Sequence, residues 1–443
     1  MNKRGTTTLF LAIILSALIL VETTYVAYVA DLSRRLTYTR ALKEQTEVYL
    51  ASYDRQLFKA YGIYAFDSSS IDSRVFDEVL AANGYETGDV IYASGMYYID
   101  TEVLRRSVAS FYAYRTTGIL FQRFASQITA LIDQVSNGII SQLREFTSSP
   151  AAGILKRIIG GGSEITEAIS TAIETLGFDE SSPAVQTFLN IISTLGAITN
   201  ENPDFGNSFD PSDLGFVYDI LNLSSTMFEV GTDFNENFNI HACLADYASN
   251  NFDCFMKEDT TLNGTSFEEF HESNICDSEY ILTGLEGVPA CALTDFYIFG
   301  CLYLRSIVVN LTDPTKAEII SAVADILSAV ITIVSAGALP LPPYVYQIVI
   351  VLLLAEIDAF IDLNTVLSGG EITFLSIGAI DALTLDYRSF LTVFMNYVPD
   401  GLLLERMVNV LQRDFPSYLT GIDTETDYGN ETLIYEGRYE YYQ

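Results

Sequence analysis

Five cysteines and two histidines are the residues with the sharpest chemical potential in this 443-residue chain. The cysteines are Cys243, Cys254, Cys276, Cys291 and Cys301, all in one stretch of sequence. Thiols clustered in an exported domain suit disulfides that tie down a segment with little core of its own. Cys243, Cys254, Cys276 and Cys291 are the disulfide candidates. Five is odd, so at least one thiol stays out of any intrachain pairing. Cys301, inside the apolar run FYIFGCLYL, is the candidate for a buried thiol. Two other readings stand beside this one: all five cysteines buried and reduced, or a zinc site. Zinc would draw on His241 with Cys243, or on His271 with Cys276. There is no C-x-x-C, however, and the spacings match no common finger, so no metal ligand is assigned.

Other constellations fall short of a reaction. Asp233, Asn235 and Asn237 start like a calcium loop, but Phe238 stands where its glycine belongs and Leu244 where its glutamate belongs. GGGSE at 160–164 lacks the Lys-Ser/Thr pair of a phosphate loop, and no strand–GxGxxG–helix unit occurs. Two histidines leave little material for a Ser–His–Asp relay, and 57 acidic residues single out no acid/base dyad. The 28 tyrosines could line a carbohydrate platform, but aromatics at alternate strand positions serve packing more often. Sequons at Asn222, Asn263, Asn310 and Asn430 matter only in a host that glycosylates. No catalytic residue and no cofactor is assigned, and the chain does not read as an enzyme.

Bulk composition narrows the classes further. Lysine and arginine number 23 against 57 aspartates and glutamates, a net charge of −34 that repels phosphate backbones and argues against a nucleic-acid partner. Hydrophobic residues make up 49%, aromatics 12%, and the mean hydropathy is +0.26, so the chain packs rather than staying disordered.

The elements that must position these residues begin with an anchor. After Lys3 and Arg4, the stretch GTTTLFLAIILSALILV carries no charge from Gly5 to Val21. As a helix it is ~25 Å long, slightly short of a ~30 Å hydrocarbon core. Glu22 interrupts it, and TTYVAYVA continues to Asp31, so a helix over 6–30 is long enough to cross. Tyr25 and Tyr28 suit an interfacial belt, and Leu9 and Phe10 lie in the apolar stretch. A cleaved secretory signal and a buried N-terminal helix are the other readings. Arg34, Arg35, Arg40 and Lys43 follow the segment and Lys3 and Arg4 precede it, which leaves orientation ambiguous. Up to residue 60 the net charge is +3, and beyond it −37, so a basic neck meets lipid while an acidic bulk faces water.

Five regions follow along the chain: 1–30, a leader and transmembrane anchor; 31–100, a helix continuation plus strands; 101–198, helical; 199–301, a loop-rich insertion carrying the cysteines; and 302–443, a helical hairpin and terminal strand region. The anchor helix is expected to run on to Gly62, with Leu36, Leu42, Tyr49, Tyr53 and Leu57 among its apolar positions. GIYAFD (62–67) and VIYASGMYYI (90–99) read as strands. Over 101–147 a helical stripe runs through Phe124, Ile128, Leu131, Val135 and Ile139. Gly160, Gly161 and Gly162 break the chain before Ser163, an N-cap candidate, and Pro183 starts a helix to about residue 198. ILSAVITIVSAGALPLPP and YVYQIVIVLLLA, over 326–355, predict a buried hairpin in preference to two marginal membrane spans. TLIYEGRYEYYQ reads as a terminal strand.

Lys3-Arg4-Gly5 followed at once by a long apolar helix resembles a prepilin, which a prepilin peptidase cuts after the glycine, here between Gly5 and Thr6. Type IV and Tad pilins carry glutamate at the fifth residue after the cut, where this chain has Phe10. Some large tip-placed pseudopilins lack it as well. More specifically, the chain resembles a family of Tad-locus membrane proteins distantly similar to TadE and TadG. The carrying segments are GTTTLFLAIIL, LILVETTYV, YDRQLFKAYGIYAFD (53–67), ADYASNNFDCF (245–255), SEYILTGLEG (278–287), AEIDAFIDLNTVLSGGE (355–371), LDYRSFLTVFMNYV (385–398) and GRYEYY, together about a third of the chain. The stretch 199–244 departs from that pattern.

The expected fold is α+β and mostly α: a long N-terminal transmembrane helix, then an extracytoplasmic helical domain with a small β component. The resemblance implies a non-enzymatic, single-pass, pilus-associated protein of the cell membrane, with lipid, other Tad-pilus components and a prepilin peptidase as partners. A single-pass surface adhesin or binding module unrelated to a pilus is the alternative, and an envelope hydrolase a more distant third.

Overall fold

The first helix, α1 (Lys3–Ala51), is 49 residues long, ~74 Å at 1.5 Å per residue. It has two characters. From Leu9 to Ala30 its side chains are exposed. From residue 38 one stripe is buried: Tyr38, Ala41, Leu42, Gln45, Thr46 and Tyr49, the i, i+3, i+4, i+7 spacing of a helix laid on a core. The computed structural model describes residues 3–85, 91–112, 181–201, 238–261, 264–269, 276–334, 343–375 and 383–439, with single residues between 171 and 179. These fall into two units, Met1–Tyr114 with Met407–Gln443, and Arg115–Arg406.

In the first unit the helix does not run on to Gly62 as its periodicity predicts. It ends at Ala51, and α2 (Arg55–Tyr61) starts afresh behind Asp54. The Asp54 carboxylate accepts the Gln56 and Leu57 amides at 2.7 and 3.1 Å, and Gly62 closes α2 at φ 67°. Asp54 also gives its own amide to the Ala65 carbonyl at 2.9 Å, which turns the chain toward β1 (Phe66–Asp67). The GIYAFD strand is therefore only two residues long, because Asp67 caps a 3₁₀ turn over Ser68–Ser70.

Next come α3 (Arg74–Ala82), β2 (Tyr92–Tyr98) and α4 (Thr101–Tyr112). The chain returns to this unit at Met407, within α12 (Asp400–Asp414), whose residues up to Arg406 belong to the second unit, and continues through β7 (Tyr418–Tyr428) and β8 (Glu431–Arg438). The four strands form one antiparallel sheet around β7, with β2 on one side and β1 and β8 on the other. Register pairs Met96 with Ile422, Phe66 with Leu419, and Thr424 with Tyr435. Gly429 at φ 62° makes the two-residue turn between β7 and β8. Phe76 and Leu80 of α3 pack on Tyr38 and Leu42, while Tyr49 packs on Phe66, Leu419 and Ile422.

The second unit is helical. It holds α5 (Pro183–Glu201), α6 (Phe238–Asn251), the hairpin β3 (Met256–Thr261)–β4 (Gly264–Glu269), and α7 (Asp277–Thr283). Then follow α8 (Val288–Thr312), α9 (Pro314–Val334), α10 (Pro343–Leu367), the pair β5 (Ile372–Leu375)–β6 (Leu383–Leu385), and α11 (Tyr387–Met395). Helices α8, α9 and α10 pack together, with α5 against α9 and α10. Arg305 of α8 ties to Asp362 of α10 and to the Phe374 carbonyl, and Lys316 of α9 reaches Asn310 at 2.6 Å and Asp358 at 3.0 Å.

Two expectations gain detail in this unit. The 199–301 stretch, expected to be loop-rich with short elements, is helical over residues 238–251 and carries a hairpin of Met256–Thr261 with Gly264–Glu269. Asn, Asp and Ser obscure the period of α6, whose Ala242, Leu244, Ala245 and Ala248 are nonetheless buried. The 326–355 hairpin exists as α9 and α10, but both helices reach beyond it and α8 completes a three-helix group. The stripe Phe124 to Ile139, the Gly160–Gly162 break with Ser163, and most of 199–237 lie outside the described residues.

Candidate functional site

Two regions carry the residues singled out from the sequence. The first is the stem formed by α1. Gly5 and Thr6 lie in its first turns; Leu9 and Phe10 are each 64% exposed, and Glu22 is exposed further along. Among the described residues three helices are long and apolar enough to cross a membrane: Leu9–Ala51, Val288–Thr312 and Tyr344–Leu367. They differ in what covers them. None of the apolar window of α1 is buried, against 61% of the window in α8 and in α10.

A polar collar marks where the stem meets the sheet. Tyr428 donates to the Asp31 carboxylate at 2.6 Å, and Arg35 pairs with Glu431 at 3.0 Å. The Arg34 guanidinium lies 5.6–5.9 Å from the ring centres of Tyr38, Tyr85 and Tyr428. Basic side chains next to an apolar stem can meet anionic head groups while these contacts hold the head.

The second region gathers the cysteines. Cys276 and Cys291 form a disulfide, whereas Cys243 and Cys254 remain thiols, so only two of the four disulfide candidates are joined. Cys254 is enclosed and donates to the Met256 carbonyl at 2.6 Å, while Cys243 is half-buried on α6. Cys301 is a buried thiol on α8. Closing the disulfide joins the residue before α7 to the first turn of α8. Helix α7 is short and pinned at both ends. Ser278 gives its amide to the Asp253 carbonyl at 3.0 Å, and Gly284 ends the helix at φ 77°. Arg406 donates to the Ile281 and Leu282 carbonyls at 2.8 and 2.7 Å, satisfying the last turn.

Glu279, on α7, is completely buried beside the disulfide. Its Oε1 accepts the Phe255 amide and the Tyr387 hydroxyl, both at 2.8 Å, while Oε2 has no hydrogen-bond partner. Burial outweighs those bonds and pushes the carboxyl up to about 7. Burial, then the Glu279 charge, pushes the Cys254 thiol up to about 12, and the same two causes raise the Tyr387 phenol well above its ordinary value. Low-dielectric surroundings thus favour a neutral cluster, with Glu279 the group nearest to ionising.

Sequence reasoning missed Glu279 because it is one acid among 57. The usable signal was its place three residues after Cys276, one helical turn on, inside the SEYILTGLEG segment. His241 does not join any cysteine. Its Nδ1 meets an Asp400 carboxylate oxygen and its Nε2 the Asn396 carbonyl at 2.6 Å, so both nitrogens face acceptors. His271 lies outside the described residues.

No protein-family model, curated protein or solved structure matches the chain.

Proposed function

We propose that the chain is a non-enzymatic, membrane-anchored, pseudopilin-like minor component of a Tad-type pilus or secretion apparatus. In this reading α1 crosses the bilayer once, and the acidic bulk of the chain lies outside the cytoplasm. The observation that carries it is the division of α1 into an uncovered apolar stem and a packed half. Water would penalise the bare stretch from Leu9 to Val29, which exposes Phe10, Ile13, Ile14, Leu18 and Val21 among others. A bilayer, or the matching stems of a filament, removes that cost. The greater cover on α8 and α10, with their cross-links through Arg305 and Lys316, favours a single span.

Pilin-type processing would cut after Gly5 and leave Thr6 at the head of the stem. Phe10 cannot neutralise a neighbouring terminal amine, so the proposed place is at a filament end or in the membrane and not as the repeating subunit. Deleting the pilus-assembly genes tests this placement. Surface exposure of the acidic domain, followed with an antibody on intact cells, is expected to fall in the deletion strain. Undiminished exposure would favour an independent anchored adhesin.

A further inference from the structure

Cys276, Glu279 and Cys291 form a donor set that the pilus reading leaves unused. A carboxylate oxygen of Glu279 and the two sulfurs lie within 4.8 Å of one another, and all three residues are buried. The Glu279 carboxyl is held by Phe255 and Tyr387 through Oε1 alone, which leaves Oε2 enclosed and unpartnered. A buried oxygen in that state costs stability until something binds it. Cys276 precedes α7 and Cys291 lies in the first turn of α8, with Cα atoms 6.4 Å apart. Two thiolates on one tetrahedral ion sit ~3.8 Å apart, a span that this separation accommodates.

We infer that Cys276, Glu279 and Cys291 constitute a redox-gated site for a divalent ion of the zinc class, closed by the disulfide and opened by a dithiol. Two sulfurs and one carboxylate select a borderline-soft ion over calcium or magnesium. Opening the site is a two-electron reduction. The dithiol breaks the Cys276–Cys291 bond, delivers two electrons and two protons to give two thiols, and closes to its own disulfide. The ion then forms two bonds to sulfur and one to oxygen. Both thiol protons leave to solvent, together with the Glu279 proton where the carboxyl is protonated. The disulfide form of the dithiol reverses the sequence: it takes up two electrons and two protons to return to the dithiol, the Cys276 and Cys291 sulfurs rejoin, and the ion leaves.

The test uses the full chain in detergent, reduced with a dithiol, freed of it under nitrogen and titrated with Co²⁺ as the probe. Reduced protein is expected to take up one equivalent with a thiolate-to-cobalt charge-transfer band and a rise in Tm. Oxidised protein shows neither. Glu279→Gln, close to isosteric, weakens Co²⁺ binding about tenfold or more, since a direct ligand matters at least as much as an outer-shell partner. C276S/C291S keeps Cys243, Cys254 and Cys301 and gives no band. If reduction alone unfolds the chain, Co²⁺ must restore its helical circular dichroism. Absence of the band in reduced protein, its survival in C276S/C291S, wild-type titration by E279Q, or unfolding that Co²⁺ fails to reverse would each overturn the site.

Discussion

Thr46 of α1 and Thr424 of β7 share a hydrogen bond of 2.7 Å, and both residues are completely buried. Thr46 also bonds back to the Leu42 carbonyl at 2.8 Å, so the hydroxyl pair fixes the helix against the central strand without an orphaned polar group. Close approach at that point depends on β8. A Cβ added to Gly437 would lie 2.1 Å from the Thr46 methyl and 3.2 Å from the Ile422 carbonyl. The packed half of α1 is therefore seated where Gly437 of β8 admits it.

Gly437→Ala is accordingly expected to lift α1 from the sheet. Overpacking of this kind costs about 1–3 kcal/mol, read as a lower Tm for the full chain in detergent. An unchanged Tm would mean that helix and sheet are not seated at Gly437.

Asp54 sets the break between α1 and α2. Asp54→Ala is expected to cost about 1 kcal/mol through the lost cap. Hydrogen bonds from the Tyr418 hydroxyl and then the Leu57 amide hold the Asp54 carboxyl below its ordinary value. A depressed carboxylate stabilises the fold above its unfolded value and loses that contribution as pH falls through the folded value. The gap between wild type and D54A in denaturant melts should thus narrow in acid and be constant at neutral pH.

His241 has the opposite sign. Burial lowers its affinity for a proton, but the bonds to Asp400 and the Asn396 carbonyl, with the Asp400 charge, together raise it above the ordinary value. Two acceptors facing one ring require both nitrogens to donate, which describes imidazolium. The stabilisation is complete below the unfolded value near ~6.5 and is lost as pH rises through the folded one. His241→Gln should lower Tm more at about pH 5.5 than at about pH 9, and equal losses at both would contradict the charged pair.

Alkylation of the denatured, unreduced chain should label Cys243, Cys254 and Cys301 and spare two cysteines. With its ends 15 positions apart in the sequence, the Cys276–Cys291 bond is expected to contribute about 3 kcal/mol, measured as the loss on C276S/C291S in urea melts. Labelling of four or five sites would contradict the pairing.

Charge placed along the helices separates one span from several. Leu18→Arg puts a cation at mid-stem, where insertion costs about 2.5–3.5 kcal/mol, and should release protein from washed membranes. Ile361→Arg on α10, where the side chain is 56% exposed, should leave membrane retention intact. Equal loss from both would place α10 in the bilayer too.

Much of this was legible in the residues. Leu42 and Tyr49, read from helical spacing as a packed face, are buried, whereas Leu36 of the same series is exposed and the buried Tyr38 was not among the positions read. The strand at Tyr92–Tyr98 follows from β-branched and aromatic content, and the second hairpin helix begins at Pro343, within the proline cluster read as the junction of its two halves. The break at Asp54 was hidden, since no glycine or proline marks it and only the amides of Gln56 and Leu57 reveal the cap. Cysteine connectivity was hidden for a different reason: spacing does not say which distant elements meet. Glu279 was invisible because burial, which distinguishes it from other acids, is a property of the fold and not of the local sequence.

Intact-mass measurement of the protein isolated from its own membrane tests the pilin-like reading most directly. A chain lacking residues 1–5 and beginning at Thr6, with or without N-methylation, is the expected result. A chain that keeps Lys3, Arg4 and Gly5 would contradict it and leave a plain membrane-anchored binding protein in its place.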